Sequence, residues 1–545
     1  MGGLLLWIGV VLLPGCDGCR ARGRDDSGGG VGGDTGQPMG PCSNDQGSGY
    51  VDLTSLPTTR YGDLAIRACR YWEPTAVGIQ AAPTEGASGL LYVGGELSQE
   101  TGGDGFSGDV IQLRLTAATT GVVLESDLRE AMVRPDHCGD MLGSYVADVT
   151  DVDMDGIPDL VLGSGAGKES QADGMCTENW PPSYNVGAWV VPGPVEGDIV
   201  AEEVGWFAGY PWDQISFWQG IPVVLGDVTG DSRPDLALPL RGEGLGSPGT
   251  GEVALLPGPF ESGDHVDLSE HELVFSGGQT PSWLMATVSG AYDANGDGVS
   301  DLAMSQCYQG PFPAVVVFLG PLFTAAEQED AEVVVGTPDT PCTEKAEWWD
   351  LYGYWGQPLL NGGDMDGDGR DELVVGAFDR NVEGDVNAGL VWILGDAPPE
   401  GVSDIDNLAT ARVVGTQAEA FAGWPMASGG DLDGDGHSDL VVGSSSLWSS
   451  AYTPPNLNPG TWLHYGPLSG TIGYDTGSMV HSKRADLMTS RGDLDGDSID
   501  DLVMTDRDIV DDDWITDGVM MGNAVHVWLS GQSLEFPRPW APARD

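Results

Sequence analysis

Positive charge is scarce in this chain: 22 Lys and Arg stand against 84 Asp and Glu, a formal net charge of −62 over 545 residues. Such a field repels nucleic-acid phosphates and anionic membrane surfaces and draws divalent cations, so a nucleic-acid partner is excluded. Long apolar runs are lacking as well. Leu4 to Leu13 is the longest, too short to span a bilayer and of the length of a secretory h-region. Leu13-Pro14-Gly15-Cys16 follows it and resembles a bacterial lipobox, without a preceding Lys or Arg and with Pro14 as an unusual member. The expectation is a signal peptide over 1–15, lipidation at Cys16, and a Gly-rich flexible linker over 16–49 that cannot bury a core. The protein is then exported and held in the bacterial cell envelope or at the cell surface, touching the membrane through its lipid alone.

Catalytic signatures are equally thin. The seven His residues are scattered, with no HExxH pattern, and no Cys/His cluster suggests zinc. No G-x-S-x-G elbow occurs, and Gly163 to Lys168 continues into Glu169, which breaks the phosphate-loop pattern. Arg491-Gly492-Asp493 spells an adhesion tripeptide, but Asp493 also opens an acidic loop described below.

Glycine and proline are plentiful, 84 and 36 residues, which favours short strands and many turns. One nine-residue pattern recurs at Asp151, Asp227, Asp293, Asp364, Asp431 and Asp493, with starts 62 to 76 residues apart. Each copy runs into a short apolar segment such as DLVLG or ELVVG, and a second apolar strand follows, often ending in Gly-Pro. A degenerate seventh copy, Ala81 to Gly89, keeps Gly86 at the sixth position and lies in phase. The tenth residue before each loop is large and apolar in six cases (Tyr71, Met141, Phe217, Trp283, Tyr354 and Phe421) and Lys483 in the other. Seven units with room for about four strands each predict an all-β, seven-bladed β-propeller over 50–545.

The pattern D-x-D-x-D-G-x-x-D suits calcium, which takes six to eight hard oxygens. Positions one, three, five and nine offer side chains and position seven a carbonyl, while Gly at position six permits the sharp bend. The expected ligands are Asp151, Asp153, Asp155, Ile157 and Asp159 in the first loop, then Asp227, Thr229, Asp231, Arg233 and Asp235. Asp293, Asn295, Asp297, Val299 and Asp301 form the third set, and Asp364, Asp366, Asp368, Arg370 and Glu372 the fourth. Asp431, Asp433, Asp435, His437 and Asp439 form the fifth, and Asp493, Asp495, Asp497, Ile499 and Asp501 the sixth. About six calcium ions are therefore expected. An EF-hand is excluded because the last acid stands at position nine rather than twelve and strands, not helices, follow. Ser232 and Ser498 replace the glycine and Thr229 replaces a carboxylate, so the loop at Asp227 is expected to be the weakest.

The chain resembles the FG-GAP repeats of the integrin α-subunit head and of related bacterial lipoproteins over about residues 58–545. Phe421-Ala422-Gly423 and Gly376-Ala377-Phe378 stand where that family has its Phe-Gly and Gly-Ala-Pro elements. Integrin heads generally carry fewer calcium blades, so the resemblance implies a related module rather than an integrin. It places the strand 2–3 and 4–1 connections on the face opposite the calcium loops. Aromatic clusters fall there: 206–218, 348–355, Trp180 with Tyr184, and Trp448 with Tyr452. They are either a binding face or packing between blades. The implied function is an extracellular binding or adhesion module for protein or glycan, with no catalytic site. A polysaccharide-degrading propeller enzyme and a purely structural envelope protein are the alternatives. Disulfides are expected between Cys138 and Cys176 and between Cys307 and Cys342, with Cys42–Cys69 third and Cys19 free. Finally, closure of the ring requires residues near 63–69 to serve as the outer strand of blade seven, beside residues near 524–530.

Overall fold

The computed structural model describes residues 64–67, 74–84, 87–95, 109–115, 121–124, 128–135, 142–164, 186–210, 222–240, 252–276, 284–306, 314–327, 330–337, 355–378, 380–395, 398–444, 460–481, 487–506 and 524–530. Seven sheets follow one another along the chain, and each contains four antiparallel strands running from an inner to an outer edge. Blade one is Pro74–Gln80, Leu90–Gly95, Asp109–Arg114 and Arg129–Arg134. Middle strands are apolar runs because both faces are covered: Asp159–Ser164, Ala314–Phe318 and Leu390–Leu394 are buried at every residue. The fourth strand of blade five, Ala409–Val414, is buried only at Ala411 and Val413, with a half-buried residue between them.

The core lies in the seams between blades. Trp392, Val375 and Leu373 of blade five pack with Val315, Val317 and Val335 of blade four, and a similar cluster joins blades one and two. Blade seven is assembled from both ends of the chain. Leu487–Thr489, Leu502–Asp506 and Ala524–Trp528 are its first three strands, and Leu64–Arg67 is its fourth. Leu64 pairs with Val527 and Ile66 with Val525, the closure the sequence requires. The packing closes at the same place, since Val77, Ile79 and Leu91 of blade one share a cluster with Val503, Val525 and Val527.

Six of the seven sheets gain a fifth strand that the repeat pattern does not announce. The connection between strands three and four of one blade lays a short parallel strand on the outer edge of the blade before it. Asp198–Val200 does so on blade one, Gly401–Asp404 on blade four and Gly121–Leu124 on blade seven. Blade six has four strands among the described residues. Its neighbour, blade seven, takes strands three and four from distant parts of the chain. The borrowed strands pair otherwise open edges, which would invite association with other chains.

Candidate metal centres

Each acidic loop joins strand one to strand two and folds around its own carboxylates. The first Asp acts as a hub. In blade six the amides of Gly434 and Asp435 donate to Asp431 Oδ1 (2.7 and 3.1 Å), and Gly436 donates to its Oδ2 (2.8 Å). Blades three, four and seven repeat this arrangement at Asp227, Asp293 and Asp493. In all six loops the position-five carboxylate accepts the N–H of position seven at 2.7 to 3.0 Å. In blade four the second oxygen of that acid, Asp297 Oδ2, accepts the Asn295 side-chain amide at 3.1 Å.

Position nine has a role that the ligand pattern conceals. Asp159, Asp235, Asp301, Glu372, Asp439 and Asp501 are all fully buried. One oxygen of each accepts the amide of position two, at 2.5 to 3.0 Å. In five blades the other oxygen accepts an amide from the turn leaving strand three: Gly193, Gly258, Gly320, Gly466 or Ser530. The acid is thus a strut between the loop and that turn. In blade two the contact needs glycine, because a Cβ on Gly193 would sit 2.2 Å from the Pro158 carbonyl oxygen. Glu372 is longer, and its Oε1 is buried with no hydrogen-bond partner among the described residues.

Four groups of acids come close enough to share one ion: Asp151, Asp153 and Asp159; Asp364, Asp366 and Glu372; Asp431, Asp433 and Asp439; and Asp493, Asp495 and Asp497. Blades three and four hold no such group among the described residues; there Thr229 and Asn295 occupy position three in place of an acid. Asp155, Asp368 and Asp435, expected as ligands, lie outside these closest sets, and Asp501 lies outside the set of blade seven. The donor set is all oxygen, which suits a hard cation. Asp151 Oδ1 and Glu372 Oε1 are buried without a hydrogen-bond partner among the described residues, as atoms waiting for a cation would be. The residues therefore fit calcium. When bound, such an ion would neutralise the clustered carboxylates, and the position-one, -three, -five and -nine side chains would hold it with the position-seven carbonyl.

Without the ion these acids hold their protons unusually tightly. Burial, with repulsion from Asp366 and Asp364, pushes Glu372 up to about 8. Burial with Asp495 and Asp493 nearby raises Asp501 to about 8, and burial with Asp433 and Asp431 nearby raises Asp439 to about 7. Asp235 and Asp301 are raised, chiefly by burial, to about 6. Folded-state values above the unfolded ones mean that the folded chain binds more protons, so metal-free stability falls as pH rises through about 4 to 8. In chelator, acidification from about pH 8.5 to about pH 5.5 is expected to raise the melting temperature, and saturating calcium is expected to abolish or reverse that slope. Thermal melts at four pH values check this. A metal-free protein that melts lower at the acidic end contradicts it.

Ser232 and Ser498 adopt φ of 70° and 71°, beside Gly156, Gly298, Gly369 and Gly436 at 88° to 93°. A Cβ at those glycines would meet nothing within 4 Å, so the cost at the serines is backbone strain alone. Replacing Ser232 or Ser498 by Gly is expected to stabilise the protein by about 1 kcal/mol each, read from calcium-saturated denaturant unfolding.

Trp206 and Phe207 are core residues, packed on Phe260 and Trp189 at ring distances of 4.8 and 4.5 Å. The remaining aromatic clusters, all eight cysteines and residues 1–49 lie outside the residues whose side chains the structure describes. Arg491 turns inward, donating to the Asn361 carbonyl at 2.9 Å and the Ser428 carbonyl at 3.3 Å, while Asp493 caps its own loop; the tripeptide is spoken for by the scaffold. His437 spends its side chain on Gly367 of the preceding loop. Between blades one and two, where the loop is degenerate, a cavity of about 350 Å³ is lined by Gln80, Tyr92 and Gln112. The Tyr92 hydroxyl lies 3.0 Å from the side-chain oxygens of both Gln80 and Gln112. No described helix is long and apolar enough to cross a membrane.

The fold and loops together define a seven-bladed β-propeller with acidic oxygen cages in the loops between strands one and two. No protein-family model matches the chain. Over 176 residues it is 30% identical to integrin alpha-5 of Xenopus laevis, a match covering 31% of this chain and 15% of that protein.

Proposed function

We propose that this protein is an exported, calcium-stabilised binding module, anchored through Cys16, that presents the face opposite its acidic loops to an extracellular protein or glycan. The observation carrying this reading is the partial identity to an integrin α chain within a propeller whose acidic face serves as scaffold. In five blades both oxygens of the buried position-nine acid are committed to backbone amides, so that face has little freedom to vary. The connections leaving the far ends of strands two and four carry Trp180, Tyr184, Trp348, Trp349, Trp448 and Tyr452. Aromatic side chains of this kind dominate protein contacts. Six calcium ions, in the loops beginning at Asp151, Asp227, Asp293, Asp364, Asp431 and Asp493, hold the presenting blades in place.

The purified full-length chain, immobilised with and without calcium, should retain a ligand from a glycan array or a panel of extracellular proteins only in calcium. Retention should fall at least tenfold when Trp348 and Trp349 are replaced by Ala, with the melting temperature unchanged. Equal retention in chelator, or by the double variant, defeats the reading. Replacement of Cys16 by Ala should move the protein from the detergent phase to the aqueous phase on partitioning.

A further inference from the structure

The acidic loops touch one another around the ring, and they do so unequally. The residue at position eight decides the contact. In blade four the Ser300 amide donates to the Asp227 carbonyl of blade three at 3.0 Å, in blade six the Ser438 amide to the Asp364 carbonyl of blade five at 2.8 Å, and in blade seven the Asp500 amide to the Asp431 carbonyl of blade six at 3.1 Å. Each acceptor belongs to the first ligand residue of the preceding loop. Blades two and three carry Pro158 and Pro234 at position eight, and proline has no N–H to give.

Blades five to seven are tied further. Asp500 also accepts the Asp431 amide at 3.0 Å and the Gly492 amide at 2.9 Å, so both backbone groups of Asp431 are clamped by one residue of the next blade. The Leu468 amide of blade six donates to the Met365 carbonyl at 2.8 Å, a bond that Leu322 and Val228 repeat between blades four and three at 2.9 Å. Arg491 reaches the carbonyls of Asn361 and Ser428, each three residues ahead of a loop, and Ser428 Oγ donates to the same Asn361 carbonyl. The position-seven side chains of His437 and Ile499 cover Gly367 and Gly434 of the loop before.

We propose that the loops of blades five, six and seven fill with metal as one cooperative unit, coupled through the Ser438 amide and Asp500, while the loop of blade two fills alone. The inference rests on the calcium reading above. An ion that fixes Asp431 also fixes the two backbone groups that Asp500 needs, so the ordering cost of the next loop is already met when its own ion arrives. Coupling is reciprocal, so an ion in blade seven eases the filling of blade six equally. Asp500 and Ser438 are positioning residues in this scheme, not ligands.

The test is hydrogen exchange of chelator-stripped, full-length protein across a calcium titration, read on peptides covering each loop. Loops 364–372, 431–439 and 493–501 should gain protection at a shared midpoint with a Hill slope between 1 and the site number, about 3. Loop 151–159 should follow its own midpoint with a slope near 1. Ser438→Pro copies the residue that blades two and three already carry. It should move loop 364–372 to about 5-fold higher calcium or more while the other two stay together. Ser438→Ala keeps the amide and should leave coupling intact. Asp500→Ala should separate loop 493–501 from 431–439. Three unrelated midpoints with slopes of 1 in the parent protein, or an unchanged shared midpoint in both Ser438→Pro and Asp500→Ala, overturns the coupling. No calcium-dependent protection in any loop overturns the metal reading itself and the coupling with it.

Discussion

Chelation is expected to lower the melting temperature by more than about 10 °C. Each loop brings three or four carboxyl groups together, and like charges about 4 Å apart repel by roughly 1–4 kcal/mol per pair at intermediate dielectric. Metal that binds only the folded chain adds about 4 kcal/mol per site at a thousandfold excess over its dissociation constant. With four close acid groups on the ring, the summed effect far exceeds that of a single core substitution. Differential scanning calorimetry in calcium and in chelator measures it. Within that effect the loops should rank: Asp431→Ala should cost more than Asp227→Ala, because the former loop has all four acids and its glycine, whereas Thr229 and Ser232 have already weakened the latter. Melting curves that coincide in calcium and chelator would falsify the calcium-scaffold reading.

Removal of residues 50–70 is expected to open the ring. It deletes Leu64–Arg67, leaving Ala524–Trp528 with a free edge and Gly121–Leu124 with no strand to pair with. The loops meet at the same seam, where the Ala82 amide donates to the Asp493 carbonyl at 2.7 Å and the Gly89 amide to the Leu494 carbonyl at 2.9 Å. Losing the strand therefore loosens the loop contact as well as the sheet. The shortened chain should unfold in a broad, early transition or associate through its open edge. Deletion of 17–45 should leave melting unchanged. A chain starting at Trp72 that melts like the full protein contradicts this closure.

The repeat was legible because its acids sit at fixed spacing and its glycine must bend. The phase of seven units followed from that, and Leu64–Arg67 followed from the need to pair a sheet edge. Ser232 and Ser498 could be read as strained from the pattern alone, and their φ values agree. Position nine was read only as a ligand. A buried strut and a metal ligand both demand an acid there, and no side-chain pattern separates them. The borrowed fifth strands were invisible for a different reason. Segments such as His265–Asp267 and Ala326–Glu327 have no alternation of their own, and the neighbouring edge makes them strands. Trp206 and Phe207 shared a cluster with residues on the far connection, so composition could not show that they belong to the core. Asp500 stands outside the ligand positions of its loop, and only the neighbouring loop reveals its partner.

Calcium stoichiometry tests the central claim most directly. Chelator-stripped protein, dialysed to equilibrium against calcium and analysed for bound metal, should take up six ions, four of them ahead of those in the loops at Asp227 and Asp293. Uptake of fewer than four ions at saturating calcium would contradict the account.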